Sequence, residues 1–492
     1  VQVNGTNPPG DTTPAILLSA SAAAGQKDIF IGNNVVAPGT YFFLQDVAKM
    51  ETPPVGLPRI IGGELVRVAA QSGGSPNKVT LEQNLTQNYT TSTTTGLTPV
   101  PSGVSVVRNL KIVGLRLRGL NQTGFGPWFY AGWTDGLQLI NCSGNRGSAV
   151  GFGVFYSRSA TVTNCRGNDL PRFLGAVGWG YTFQVQRTVA STFNRLFATN
   201  AQYSMTLEAG SSGIVVNSLA YVQLYFDVGT QNLYGAQSSF DIHGGEAYDV
   251  IVNGAFAPLS DLSLGNTSWR RGASKVTLNH CYFRTARIVT CIADSTLNGC
   301  YGQQVKFEYA NPPQVDINNG ARLSNIENFT IDGCSLTWPA SSDGVPVISG
   351  GPNNPSPTNF IIDRLKVKNT RVENLFGGAS IRLDLNTKDN AVISAMEISD
   401  CTLLNNSPSI VGHVIVTNNA QTPTPTSLTM TVTNTKFVQA TSVLYVAYGL
   451  STPSTTRFVN GGGNQRGTTL GSLGAFSCAA DVNNMSKQGP GC

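Results

Sequence analysis

Ser239–Asn253 reads SFDIHGGEAYDVIVN: a short run with apolar residues at every second place, a Gly-Gly turn, then a β-branched run closing on Asn. The same frame stands upstream at Ser204–Asn217 (SMTLEAGSSGIVVN) and again at Thr182–Asn194 (TFQVQRTVASTFN). With one residue of slack in the turn, Met205 falls against Phe240, Leu207 against Ile242 and Gly210 against Gly245. Phe183 and Val185 join the same apolar columns. A unit of this length cannot bury its apolar face alone, so its neighbours must stack on it.

The closing position can be followed along the chain through Asn141, Asn164, Asn194, Asn217, Asn253, Asn279, Asn298, Asp332, Asn369, Asp400 and Asn434. Successive closers are 19 to 37 residues apart, as one strand-and-turn coil with insertions of variable size would give. No 3.6-residue apolar period accompanies them, which excludes helical repeats. The pattern predicts an all-β right-handed parallel β-helix, a solenoid of about ten or more coils. Asn at a corner tolerates left-handed backbone, and stacked Asn side chains bond along the column. Cys142, Cys165, Cys281, Cys300, Cys334 and Cys401 follow directly on a closer or one place after it. A fixed place in the coil is expected of small buried side chains in an interior column. Cys478 and Cys492 either form one local disulfide or stay free. With no CxxC pair and no His at ligand spacing, neither a metal nor a cofactor is expected.

Four segments follow from changes in texture: an extended Pro/Gly-rich leader (1–26), a small β cap leading into the solenoid (27–103), the parallel β-helix (104–445) and an irregular capping tail (446–492). Charged residues make up 12% of the chain, against roughly 25% in an average soluble domain. That scarcity suits a stacked polar surface outside cells. A net charge of +5 with no Lys/Arg run does not suit a nucleic-acid binder. No stretch approaches the ~18 apolar residues of a membrane span. Ala15–Ala24 is too short, and lacks the basic flank, for a signal peptide.

Strand alternation carries the site. If Val185, Leu207 and Ile242 point inward, one outward column is Gln184, Thr206 and Asp241, and the next is Gln186, Glu208 and His243. Tyr156 is expected one coil ahead of that second column, with Arg270 and Arg271 after it. Strand spacings place Glu208 beside His243 and diagonal to Asp241. Two carboxylates separated by roughly 6.5–9.5 Å leave room for water on the far side of a sugar link and give inverting hydrolysis. A histidine between them tunes a neighbour or acts as base. Arginines hold an acidic sugar's carboxylate, and aromatics such as Trp128, Trp133 and Trp269 offer flat faces to sugar rings. Asp241, His243 and Glu208 are therefore the candidate catalytic groups. Tyr156, Gln186, Glu246, Trp269, Arg270 and Arg271 are the candidate substrate-binding ones. The plainer reading makes the outward polar residues solvated surface, with Asp241 anchoring its turn. Asp227 and Asp249 are expected as turn residues, and His280 and His413 as packed side chains. A one-residue slip in the alignment would send each side chain to the opposite face.

FDIHGG with its VIVNG return, the NCxG-type closers and the GELVRVAAQ…VTLEQNL strands resemble the pectate-lyase-like β-helix superfamily, and within it phage tailspikes and secreted polysaccharide-degrading proteins. The resemblance spans about residues 27–445. It implies an extracellular or virion-surface protein, a homotrimer, that binds and cleaves a bacterial capsule, O-antigen or exopolysaccharide. The superfamily's Ca²⁺-binding Asp cluster and its paired Asp-Asp signature have no counterpart here, so hydrolase and lyase both stay open. The leading expectation is a polysaccharide depolymerase. The alternatives are a non-catalytic glycan-binding adhesin or receptor-binding spike, and a purely structural virion or surface β-helix.

Overall fold

A computed structural model of the chain describes residues 2–3, 14–46, 63–119, 128–146, 150–170, 180–208, 210–222, 238–242, 247–264, 273–289, 292–308, 325–339, 345–350, 361–375, 378–385, 392–406, 412–418, 428–439, 445–450, 456–483 and 485–492. It falls into two compact units, residues 1–260 and 261–492. Both are built of stacked parallel strands, the coils of a right-handed parallel β-helix.

In the first unit, Phe129, Phe152, Phe183, Met205 and Phe240 are register partners on successive coils, and so are Ala131, Val154, Val185, Leu207 and Ile242. All ten are buried. The Phe152 and Phe183 rings stack 5.6 Å apart. A second wall carries Ile112, Leu139, Val162, Phe193, Val216 and Val252 in one column. Each large apolar side chain so buried contributes roughly 1.5–3 kcal/mol. Because a coil's apolar partners lie directly above and below it, the aligned columns fix the register. Gln2–Val3, at the head of the expected leader, pairs in parallel with Tyr130–Ala131.

The corners explain the closers, and they form two columns rather than one. Asn141 and Asn164 are themselves left-handed, at φ 54° and 53°. On the next three coils the residue after the Asn takes the positive φ instead, Arg195, Ser218 and Gly254, whereas Asn369, Asp400 and Asn434 further along are again left-handed themselves. Register shows the same offset, since Thr163 pairs with Asn194. The side-chain ladder changes partner at the shift, where Asn194 donates to the Thr163 hydroxyl at 3.4 Å, and runs Asn to Asn on either side of it. Asn164 donates to Asn141 at 3.1 Å, Asn217 to Asn194 at 2.8 Å and Asn253 to Asn217 at 2.8 Å.

Six strands between Ile16 and Pro99 form a separate antiparallel sheet. Its order is Ile16–Leu17, Thr95–Pro99, Tyr41–Asp46, Gly63–Ser72, Asn77–Leu81, Asp28–Ile31. Phe42, Leu44, Val66, Val68 and Leu97 fill its own core. Their neighbours Phe43 and Leu65 point the other way, onto Trp133, Phe155 and Tyr156 of the solenoid. The sheet thus lies along the flank of the coils, and its first strand falls within what the composition marks as leader.

The second unit repeats the stacking. Leu278, Leu297, Ile331, Val367, Ile398 and Val432 form one unbroken buried column. Asn298 bonds Asn279, Asn369 bonds Asp332 and Asn434 bonds Asp400. The six expected interior cysteines are buried thiols outside any disulfide. Burial pushes the Cys165 and Cys401 thiols up to about 12, so they stay protonated packing groups. The tail is more regular than its composition suggests. Thr456–Asn460 and Gln465–Gly467 add rungs beside Leu428–Thr433 and Lys436–Gln439. A single helical turn, Cys478–Asp481, follows, and a Cys478–Cys492 disulfide ties down the last residues. No helix among the described residues is long and apolar enough to cross a membrane.

Candidate functional site

The outward columns stand as the alternation predicts. Tyr130, Gly153, Gln184, Thr206 and Asp241 are register partners on five coils, and Phe155, Gln186 and Glu208 on three. Because Leu207 pairs with Ile242 and Thr206 with Asp241, Glu208 lies one coil and two residues from Asp241. Strand spacings make that diagonal roughly 8 Å between backbones.

The face is outward but not open. Gln184, Thr206, Glu208 and Asp241 are all buried, as is Tyr181 beside them. Gln184 donates to one Glu208 oxygen at 3.0 Å and Gln186 to the other at 3.4 Å. Amide donors of this kind favour the charged carboxylate. Tyr181 reports on both acids: burial first, then the charges of Glu208, Tyr203 and Asp241, hold its hydroxyl well above the usual range. Burial does the same to Tyr130, with the Tyr156 and Glu208 charges adding to it. Tyr130 stacks on Phe155 at 4.1 Å. Gly153, opposite Tyr130 and two residues before Phe155 on the same strand, leaves room for this stack, since a Cβ there would come within 2.4 Å of the Phe155 ring. The Thr206 hydroxyl is buried with no hydrogen-bond partner among the described residues. A buried polar atom in that state is rare in native proteins and would be satisfied by a water or a ligand hydroxyl.

Tyr156 is displaced from its expected place. Register sets Phe155, not Tyr156, against Gln186. Tyr156 is one residue further on, at the corner, with φ 48°. Trp133 (φ 55°) and Arg187 (φ 47°) take the same corner conformation. The three make a pile on the coil edge: Trp133 stacks on Tyr156 at 5.0 Å, and the Arg187 guanidinium lies 5.1 Å from the Tyr156 ring centre. Stacking and cation–π contact offset the cost of left-handed backbone at bulky residues.

Trp133 and Trp128 are also not groove residues. Trp133 is fully buried, edge-on to Phe43 of the flanking sheet, and Trp128 is packed over Gly144 and Gly151. The loop that follows strand Asn77–Leu81 of the flanking sheet reaches the turn after Glu208, a contact with no periodic signal in the sequence. Gln87 donates to the Gly210 carbonyl and to Ser212 Oγ, both at 3.0 Å, and Thr86 bonds Ser212 at 2.6 Å. Gln83 bonds Ser159 two coils earlier. On Ser159's own coil Arg158 pairs at 3.1 Å with Asp135 of the coil before, and Asp135 accepts from the Tyr41 hydroxyl.

His243, Glu246, Trp269, Arg270 and Arg271 lie outside the described residues, as does Asp227. Asp249 adopts φ 50° at an exposed corner, in keeping with a turn role. His413 is packed as expected, bonded to Ser380 and beside Phe437, and burial lowers its pKa to about 3. His280 is instead an exposed left-handed corner residue, its ring laid over Gly299 because glycine leaves that space open.

No family model matches the chain, and no curated protein does. Among solved structures it is similar to the tailspike protein gp49 from Pseudomonas phage LKA1, at 14% identity and a TM-score of 0.43, over 92% of this chain and 67% of that one. It is also similar to the gp54 tailspike of Acinetobacter baumannii bacteriophage AP22 in complex with A. baumannii capsular saccharide, at 12% identity, TM-score 0.42, and 92% and 66% coverage. The chain spans about two thirds of the length of these two tailspikes. The catalytic domain of a GH87 α-1,3-glucanase aligns at 11% identity, TM-score 0.42, over 92% of this chain and 99% of that one. At such identities the likeness is one of coil architecture.

Proposed function

We propose that the chain is a polysaccharide depolymerase of the extracellular or virion-surface kind, acting on a bacterial surface glycan through Glu208 and Asp241. The observation that supports this is the pairing of two buried carboxylates, one coil and two residues apart, on an outward face lined by amides and tyrosines. Burying a carboxylate is costly unless other groups compensate, so two on one face is a costly arrangement for mere surface. In this reading one carboxylate activates the attacking water and the other delivers the proton to the leaving oxygen, with Gln184 and Gln186 fixing the Glu208 carboxylate in place. Tyr130 and Tyr181 supply ring surface and hydroxyls, and Thr206 contacts a sugar hydroxyl.

The amide grip on Glu208 favours one second reading, a glycan binder without turnover, because a carboxylate tied by two side chains also serves as a fixed hydrogen-bond acceptor. The deciding experiment is incubation with a panel of capsular, O-antigen and exopolysaccharide preparations, following reducing ends and the ultraviolet absorbance of unsaturated uronate together. Reducing ends alone, lost in Asp241→Asn, support hydrolysis by this pair. Both signals rising would point to a lyase. Neither, on a glycan that demonstrably binds, would leave the binder.

A further inference from the structure

The second unit carries a groove of its own, of about 380 Å³, lined by Asp261, Arg284, Thr285, Arg287, Gln304, Lys306 and Trp338. That volume is within the usual range for ligand clefts. Three cations surround one carboxylate. Arg284 grips Asp261 through two nitrogens at 2.9 and 3.1 Å, and the charges of Arg287 and Lys306 also reach it. Burial nonetheless pushes the Asp261 carboxyl up from its ordinary range. Among the described lining residues the groove is therefore two charges positive. The positive charge continues along the coils, because Arg287, Lys306, Ser349 and Arg382 are register partners on four successive rungs. Their inward neighbours Ala286, Val305, Ile348 and Ile381 are fully buried, so this column faces out.

Neutral donors and rings accompany the cations. Thr285 and Gln304 are paired across adjacent coils in the groove. The Trp338 indole N–H is buried without an acceptor among the described residues. Tyr282 and Tyr301, register partners two or more residues before the groove on the same strands, are 44% and 54% exposed. Rungs repeat every ~4.8 Å, close to the length of one sugar in an extended chain. A polymer with one carboxylate per sugar thus meets cations at three of four rungs, the third being neutral Ser349. It brings hydroxyls for Thr285 and Trp338 and ring faces for the tyrosines, while the Gln304 amide also donates to the Pro346 carbonyl at 2.8 Å.

We propose that this groove binds a carboxylate-bearing glycan segment, of the polyuronate class, along the Arg287–Lys306–Arg382 column. The site is separate from Glu208 and Asp241 and does not depend on their catalytic reading. A nucleic acid is the weaker fit, since the cationic column is short in a chain of low net charge.

Isothermal titration tests this on the full chain carrying Asp241→Asn, so that cleavage does not confuse the heats and a failure here is separable from failure of the catalytic reading. The probes are trigalacturonate, maltotriose, inorganic phosphate and oligothymidylate, at low salt. The expected result is saturable binding of trigalacturonate alone. Lys306→Met should weaken it about tenfold or more, the loss of one charge-assisted bond, while Trp338→Phe weakens it less. Lys366→Met is the control: it removes the same charge from a different groove, one also lined by Arg364 and Glu397. Equal binding of maltotriose, phosphate or oligothymidylate would overturn the proposal. So would an absence of saturable binding, or equal losses in the two lysine variants when both melt like the parent.

Discussion

The two units expose opposite kinds of outward face on the same scaffold. In the first, Glu208 and Asp241 sit among Gln184, Gln186, Tyr130 and Tyr181, and neutral amides and hydroxyls carry the polarity. In the second, Asp261 sits among Arg284, Arg287 and Lys306. Both are built by register alone, one residue per rung, so what differs is only which side chain occupies the outward place. The lesson is that a parallel coil holds its side chains in ranks whatever their chemistry. A face with acids amid neutral donors is suited to moving protons, and a face with cations to holding charge.

The comparison breaks most sharply at the acids. Asp241→Asn or Glu208→Gln should lower depolymerisation roughly 10²- to 10⁴-fold, measured as reducing-end release, with no matching fall in melting temperature. Lys366→Met, in the other groove, should leave that rate unchanged. A second test concerns the flank. Trp133→Ala removes the fully buried centre of the Phe43–Trp133–Tyr156 cluster and should cost about 3–5 kcal/mol in denaturant unfolding.

A third test uses one buried titratable group in each unit, with opposite signs. Glu64 accepts from Thr86 and Tyr89, and burial raises its pKa from 4.5 to about 7. The folded state therefore prefers it protonated, and this contribution is full below pH 4.5 and lost as pH rises to 7. His413 runs the other way. Its pKa falls from 6.5 to about 3, so its contribution is full above pH 6.5 and lost as pH falls toward 3. Melting-temperature profiles of Glu64→Gln and His413→Leu should lose opposite limbs of the parent's pH dependence, each worth roughly a few kcal/mol. The smallest expected effect is Asn217→Ala, which cuts the ladder bonds to Asn194 and Asn253 and should cost about 1–2 kcal/mol.

The fold was legible because its signals are local and repeated: alternation inside a strand, then Asn at the turn. The Thr206–Asp241 and Gln186–Glu208 registers were legible for the same reason, with Leu207 and Ile242 anchoring the alignment. Tyr156 was misplaced by one residue because the strand ends at Phe155 and the corner adds a left-handed residue that alternation does not count. The closers blur likewise, since Asn164 and Asn194 occupy different places in the corner. Trp133 looked like a sugar platform because nothing nearby in sequence reveals Phe43, ninety residues earlier, packing on it. Contacts made across such separations leave no periodic trace.

The flanking sheet changes how the coils would come apart. A stack of near-identical rungs ordinarily frays from an end, each rung held only by the next. Here the Gln83–Gln87 segment is fastened to Ser159 and to Gly210 and Ser212, skipping the rung between them. Peeling that reaches Ser212 must strip the strap before it can free Ser159. These rungs should therefore exchange their amide hydrogens as one block, with Glu208 on the last clamped rung and Asp241 on the rung just past it.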